Sequence, residues 1–126
     1  MMTGVPGVEL FVYGTLMDEE RVFAVTGRRF PARPARLEGY RRIMSGRGYP
    51  YVAPAPGSHV DGLLLEGIDA ASLRALDRYE DEGTLYLRQR VEVIVAGAWV
   101  GCETYVGAGI RAAPGPGRKP RRTSGG

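Results

Sequence analysis

Leu76-Asp77-Arg78-Tyr79-Glu80-Asp81-Glu82 closes a helical pattern with three successive acids. The C-terminal end of a helix disfavours anions, so an acid there is either solvated or held for a purpose. A carboxyl that works as a general acid or base needs its pKa raised towards neutrality, and burial achieves that. Leu76, Tyr79 and Leu85 offer an apolar wall for such burial. Glu80 is the leading candidate, with Glu82 as its rival. An acidic helix end is also an ordinary solvated face, so the segment alone does not fix a role.

Tyr13-Gly14-Thr15-Leu16 is the second stretch, placed where a β-favouring run gives way to a helix. A glycine at such a junction lets backbone N–H groups approach a ligand closely. The unpaired N–H groups of a following helix start suit a carboxylate or an oxyanion. Strand–glycine–helix turns are common architecture, so this signal too is weak by itself.

Other chemistries lack their parts. The chain has one cysteine, Cys102, and one histidine, His59. That leaves no internal disulfide and no cluster of metal ligands. Neither a GxSxG nucleophile elbow nor a phosphate-cradling loop occurs. His59 follows Ser58 in a Pro/Gly-rich segment and reads as an exposed turn residue. Cys102 falls in an apolar strand pattern and reads as a small hydrophobe. A single carboxylate is the working group that remains.

The elements that must position these residues follow from pattern and punctuation. Val8 to Tyr13 reads as a buried strand. Asp18 suits the N-cap of a short helix with Glu19 and Glu20 in its first turn, and Gly27 suits its end. Ala35 to Met44 reads as extended, with Pro31 and Pro34 irregularising its approach. Tyr49 to Val52 and the Pro54/Pro56/Gly57 stretch read as a turn with strand fragments. His59 to Ile68 is a strand in which Gly62 marks a bulge or a close backbone approach. Asp69 caps a second helix that carries Leu73 and Leu76 on one face. Leu85 to Val95 and Ala98 to Val106 form a hairpin across Ala96-Gly97, with Val91, Val93 and Val95 on one face.

Two helices among five or six strands exclude a doubly wound sheet and predict an α+β domain built on a small curled sheet or barrel. A chain of 126 residues fits one domain. Its 44% hydrophobic and 25% charged content is that of a globular protein. The domain is expected over residues 1–110. Residues 111–126, rich in Gly, Pro and Arg, are expected to be a disordered basic tail. Of 17 basic residues, Arg118, Lys119, Arg121 and Arg122 fall in the last nine positions, which leaves 13 basic against 14 acidic residues over residues 1–117. The net charge of +3 is therefore a property of the tail, and nucleic acid is a disfavoured partner. No apolar run approaches the roughly 20 residues of a membrane helix, and the N-terminus lacks a secretory pattern. A cytoplasmic, monomeric protein is the default expectation.

Taken together and in order, FVYGTLM at 11–17, VDGLLLEG at 60–67, LDRYE at 76–80 and Tyr86-Leu87-Arg88 resemble the γ-glutamylcyclotransferase-like family. The likeness is greatest to its small branch of γ-glutamylamine cyclotransferases and AIG2-like proteins, and it runs from about Val8 to Val106. The resemblance implies a curled β-barrel with a pocket at one mouth. It also implies release of 5-oxoproline, without a cofactor, from a γ-glutamyl amino acid, amine or isopeptide. By that resemblance Glu80 is the general acid/base. Tyr13, Gly14, Thr15 and Leu16 form the substrate-binding loop, and Tyr86 and Tyr105 also reach the substrate.

One departure stands out. Relatives often carry Gly directly after this Glu, whereas here Asp81-Glu82-Gly83 follow. Those acids keep a second reading open, a non-catalytic binding or regulatory module on the same fold. A third is an interaction protein that uses its basic tail, and a fourth an enzyme that removes a γ-glutamyl protecting group during biosynthesis. Choice of the leaving amine is expected to lie with loop 45–58 and the surroundings of Tyr86.

Overall fold

Alternation along β1 (Val8–Val12) sends Leu10 and Val12 to one side of a curved sheet and Phe11, with Tyr13 beyond it, to the other. The computed structural model describes residues 7–44, 50–80 and 86–107. After β1 come a short 3₁₀ turn (Thr15–Met17), α1 (Glu19–Thr26), β2 (Ala32–Met44), β3 (Pro50–Ile68), α2 (Ala70–Glu80), β4 (Tyr86–Val95) and β5 (Ala98–Gly107). The strands close into a barrel in the order β1-β3-β2-β4-β5. All neighbours pair antiparallel except at the seam, where β5 lies parallel to β1 with Leu10 opposite Glu103 and Phe11 opposite Thr104. The fold is thus a mixed five-stranded barrel with two α-helices, within the class expected from the sequence.

The two faces make two cores. Phe11, Leu37, Val52, Leu64, Val93 and Cys102 fill the barrel. Leu10, Val12, Leu65, Ile68 and Tyr105 pack on the outside against Val22 of α1 and Leu73 and Leu76 of α2. Burial pushes the Cys102 thiol up to about 11, so it serves as a small hydrophobe. Fully buried Thr104 donates its hydroxyl proton to the Phe11 carbonyl at 2.8 Å, tying the seam from its side chain.

Both helices begin and end as their residues dictate. Asp18 Oδ1 accepts from the Glu20 amide at 3.0 Å, and Gly27 closes α1 at φ 78°. Asp69 Oδ2 accepts from the Ser72 amide at 3.1 Å at the start of α2. Gly62 is a point of close approach: a Cβ there would lie 2.3 Å from the Val12 carbonyl oxygen and 2.8 Å from Phe11 Cζ. The Ala96-Gly97 turn takes φ 51° and 84°, as a tight hairpin requires.

Three readings need correction. The stretch expected as a turn with fragments belongs to β3, whose 19 residues run unbroken through Pro54, Pro56 and Gly57. These residues lie where the β2–β3 ladder shifts register between Glu38 and Tyr40, with Gly39 and Gly57 both at positive φ, so the irregularity is absorbed as a bulge. His59 is exposed as expected, but on a strand opposite Glu38 and not in a turn. β2 begins at Ala32 and carries Pro34 within it, opposite Leu63. Residues 50–58 of the expected specificity loop are β3, and 45–49 lie outside the described residues. The expected tail, Asp81, Glu82 and Leu85 also lie outside them. Among the described residues, no helix is long and apolar enough to cross a membrane.

Candidate active site

Where β1 ends, Tyr13, Gly14, Thr15 and Leu16 turn across one mouth of the barrel and line a cavity of ≈ 330 Å³. Glu80, Tyr86 and Tyr105 line the same cavity, so these seven residues singled out from the sequence meet there, while the rival Glu82 lies outside the described residues. Tyr79, expected from the sequence as part of the apolar wall beside the carboxyl, is in the lining, and sequence reading assigned no role to three others there: Phe11, Val12 and Pro50. Pro50 is the residue that explains Gly14. A Cβ on Gly14 would lie 3.3 Å from Pro50 Cγ, tighter than side chains normally tolerate, so the loop and the start of β3 sit close because the residue is glycine.

Glu80 is the last residue of α2 and is half-buried. Loss of water raises its carboxyl from the ordinary 4.5 to about 7. Tyr13 and Tyr105 are raised above the usual phenol range, in both cases chiefly by burial. Nearby Tyr86 and Glu80 push Tyr13 further, and Asp77 and Glu80 do so for Tyr105. Both therefore stay protonated at neutral pH. The rings of Tyr86 and Tyr105 meet edge to face, with centroids 6.4 Å apart.

The tyrosines are fixed by hydrogen bonds that cross between elements. Tyr13 donates its hydroxyl proton to the Tyr105 carbonyl, and Tyr86 donates to the Pro50 carbonyl. Tyr105 donates to Asp77 Oδ1 at 2.6 Å. Asp77 in turn takes a two-point fork from Arg88, Nε to Oδ1 at 2.9 Å and Nη2 to Oδ2 at 3.1 Å, while Arg88 Nη1 reaches Glu103. Such a fork raises the Arg88 guanidinium further, by its hydrogen bonds to Asp77. On the loop side, Tyr79 Oη accepts from Arg21 Nη1 at 3.2 Å and lies 2.9 Å from Thr15 Oγ1. Asp77 and Arg88 went without a role in the sequence reading. Their signal was the opposite charge within the paired Leu-Asp-x-Tyr-Glu and Tyr-x-Arg motifs.

A family model described as "Gamma-glutamyl cyclotransferase, AIG2-like" matches residues 10–123. The curated AIG2-like protein C of Arabidopsis thaliana is 36% identical over 96 residues, which span 75% of this chain and 55% of that protein. AIG2-like protein D of the same plant is also 36% identical, over 68% of this chain and 56% of its own length. The chain thus spans about half the length of these curated relatives. A solution structure of an Arabidopsis thaliana protein superposes with a TM-score of 0.76 at 28% identity, covering 88% of this chain and 68% of that one.

Proposed function

The chain belongs to the AIG2-like γ-glutamyl cyclotransferase family, and from that premise we propose that it cyclises a γ-glutamyl amide to 5-oxoproline with Glu80 as the proton carrier. The observation that carries this reading is a carboxyl in the cavity wall held at about 7 by burial, among tyrosines whose own protons are committed elsewhere. A base poised near the working pH takes a proton and returns it with comparable ease.

The substrate's α-ammonium loses a proton to the Glu80 carboxylate. The free amine then attacks the γ-carbonyl, forming the N–C bond of a five-membered lactam. As the tetrahedral centre collapses, the bond to the leaving nitrogen breaks. That nitrogen departs with the proton that Glu80 returns and a second one from the attacking amine. The products are 5-oxoproline and an ammonium ion, and charge balances. Nucleophile and electrophile belong to one molecule, so the protein's main task is to hold the folded conformer; effective molarities from such positioning reach about 10⁵–10⁸ M in model systems. The Gly14–Leu16 backbone lines the same cavity and supplies N–H groups for the substrate carboxylate or the developing oxyanion.

The test is 5-oxoproline release from γ-glutamyl amino acids, ε-(γ-glutamyl)-lysine and γ-glutamyl alkylamines by the purified chain and by Glu80→Gln. Release by the first and not by the second supports the assignment. A folded chain that binds these compounds without releasing 5-oxoproline reverts to the binding-module reading.

A further inference from the structure

The cavity has a closed end and an open one. Phe11, Val12, Tyr13, Leu16, Tyr86 and Tyr105 are buried, whereas Thr15 and Tyr79 are the exposed members of the wall. Half-buried Glu80 directly follows Tyr79 in α2. At the open edge Thr15 Oγ1 lies 2.9 Å from Tyr79 Oη, and Nη1 of exposed Arg21, from α1, donates to Tyr79 Oη at 3.2 Å. The same guanidinium lies 6.0 Å from the centroid of the Tyr79 ring. Two hydroxyls carry two protons and use one between them, and an arginine can only donate. One O–H proton is therefore left over at this edge, beside a positive charge. Among the described residues Arg21 has no carboxylate partner: Glu19 and Glu20 next to it in α1 are both held by Arg29, at 3.4 and 3.1 Å. A spare donor beside an unpaired cation fits an acceptor that carries negative charge.

We infer that Arg21 is a specificity-determining residue, which with Thr15 and Tyr79 selects γ-glutamyl compounds whose leaving amine bears a carboxylate, as in a γ-glutamyl amino acid. The inference rests on the γ-glutamyl reading and deepens it. With the γ-carbonyl beside Glu80, the glutamyl group occupies the closed end. The leaving nitrogen, which Glu80 protonates, is where the rest of the substrate begins, and the open edge is where that remainder has room. In an amino acid the carboxylate sits on the carbon next to this nitrogen, so it falls at the Thr15–Tyr79 edge whatever the side chain. An alkylamine brings nothing to answer Arg21. The carboxylate of ε-(γ-glutamyl)-lysine lies at the far end of a flexible chain, where it is free to stay in water. Tyr79 acts here as the anchor that holds the guanidinium over the edge.

The experiment compares γ-glutamyl-L-alanine with γ-glutamyl-ethylamine, which differ by that carboxylate alone. Their affinities are measured by calorimetry on the full chain carrying Glu80→Gln, so that neither compound is consumed, with and without Arg21→Gln. The ratio of affinities is expected to favour the alanine compound. It should fall roughly 3- to 10-fold in Arg21→Gln, the weight of a charge-assisted hydrogen bond at an exposed edge. High salt should narrow it in the same direction. Arg21→Lys should restore part of the ratio, and Tyr79→Phe, which keeps the ring and removes the anchor, should lower it. Arg74→Gln removes an equal charge from an exposed position in α2 outside the cavity wall, and should leave the ratio as it was. An unchanged ratio in Arg21→Gln overturns the inference, as does an equal fall in Arg74→Gln or equal affinity of the two compounds before either substitution. None of these results touches 5-oxoproline release, which is read on the chain with Glu80 intact. Failure of that release with an intact ratio strikes the proposed reaction alone, and binding of neither compound overturns both.

Discussion

Arg88 of β4 closes a two-point fork on Asp77 of α2, and Asp77 lies one helical turn before Glu80. The pair joins the helix that carries the carboxyl to the sheet that carries Tyr86 and Tyr105. It is a geometric tie as well as a charge pair, since only the planar guanidinium meets both carboxylate oxygens in line.

Arg88→Ala is expected to lower stability by about 1–3 kcal/mol, the scale of partly buried charged hydrogen bonds. Arg88→Lys keeps the charge and loses the fork, so it should recover less than half of that loss. Urea denaturation of the three proteins checks this, and full recovery by lysine would reduce the pair to a point-charge contact.

Activity should follow the ionisation of Glu80. Its carboxyl is raised to about 7, and the base form exists above that value. The expected kcat/KM therefore falls tenfold per pH unit below about 7 and levels above it on this limb. Glu80→Gln should retain the fold and lose at least about 10²-fold in kcat. An acid limb at the ordinary carboxylate value near 4.5 would show that Glu80 is solvated in the working enzyme.

The same shift has a sign for stability. Glu80 binds its proton more tightly folded than unfolded, so between 4.5 and about 7 the unfolded chain ionises first. Stability falls as pH rises across that window, by up to about 3 kcal/mol, and is flat in this respect above it. Glu80→Gln has no charge to bury, so it should melt higher than wild type at pH 8 and nearly alike at pH 4. Thermal melts at the two pH values decide the point. A variant stabilised equally at both would have gained its stability elsewhere.

Gly62 and Gly101 make a contrasting pair. At Gly62 the obstructing atoms are the Val12 carbonyl oxygen at 2.3 Å and the Phe11 ring, neither of which can move without opening the barrel. At Gly101 the nearest atom, at 2.5 Å, is Nη2 of Arg90, the far end of a flexible side chain. Gly62→Ala should cost about 1–3 kcal/mol or more, and Gly101→Ala within about 0.5 kcal/mol. Equal losses would mean that β3 and β1 can part as easily as Arg90 can swing.

Much of this structure is legible in the residues. Asp18, Gly27 and Asp69 mark helix ends because capping chemistry is local, and Ala96-Gly97 marks its hairpin for the same reason. Gly62 announces a close approach, though only the fold shows that Phe11 and Val12 are what it approaches. The continuity of β3 is hidden because Pro54, Pro56 and Gly57 are strong local breakers. Their place in a bulge depends on β2, a partner that local sequence does not specify. The cavity is legible as a set of motifs and not as a mechanism. The protons of Tyr13 and Tyr105 point where they do because of a carbonyl and a carboxylate brought from 92 and 28 residues away.

The parallel seam between β1 and β5 has a consequence for how the protein is made. Tyr13 and the carbonyl that orients it belong to the first and last strands of the barrel, 92 residues apart in the chain. Closing so long a loop is entropically costly and is rewarded only when the final strand docks. Without β5 the cavity is incomplete: Tyr13 lacks its anchor and Tyr105 is absent. The cavity is therefore completed in one step, when the last strand of the barrel docks beside the first.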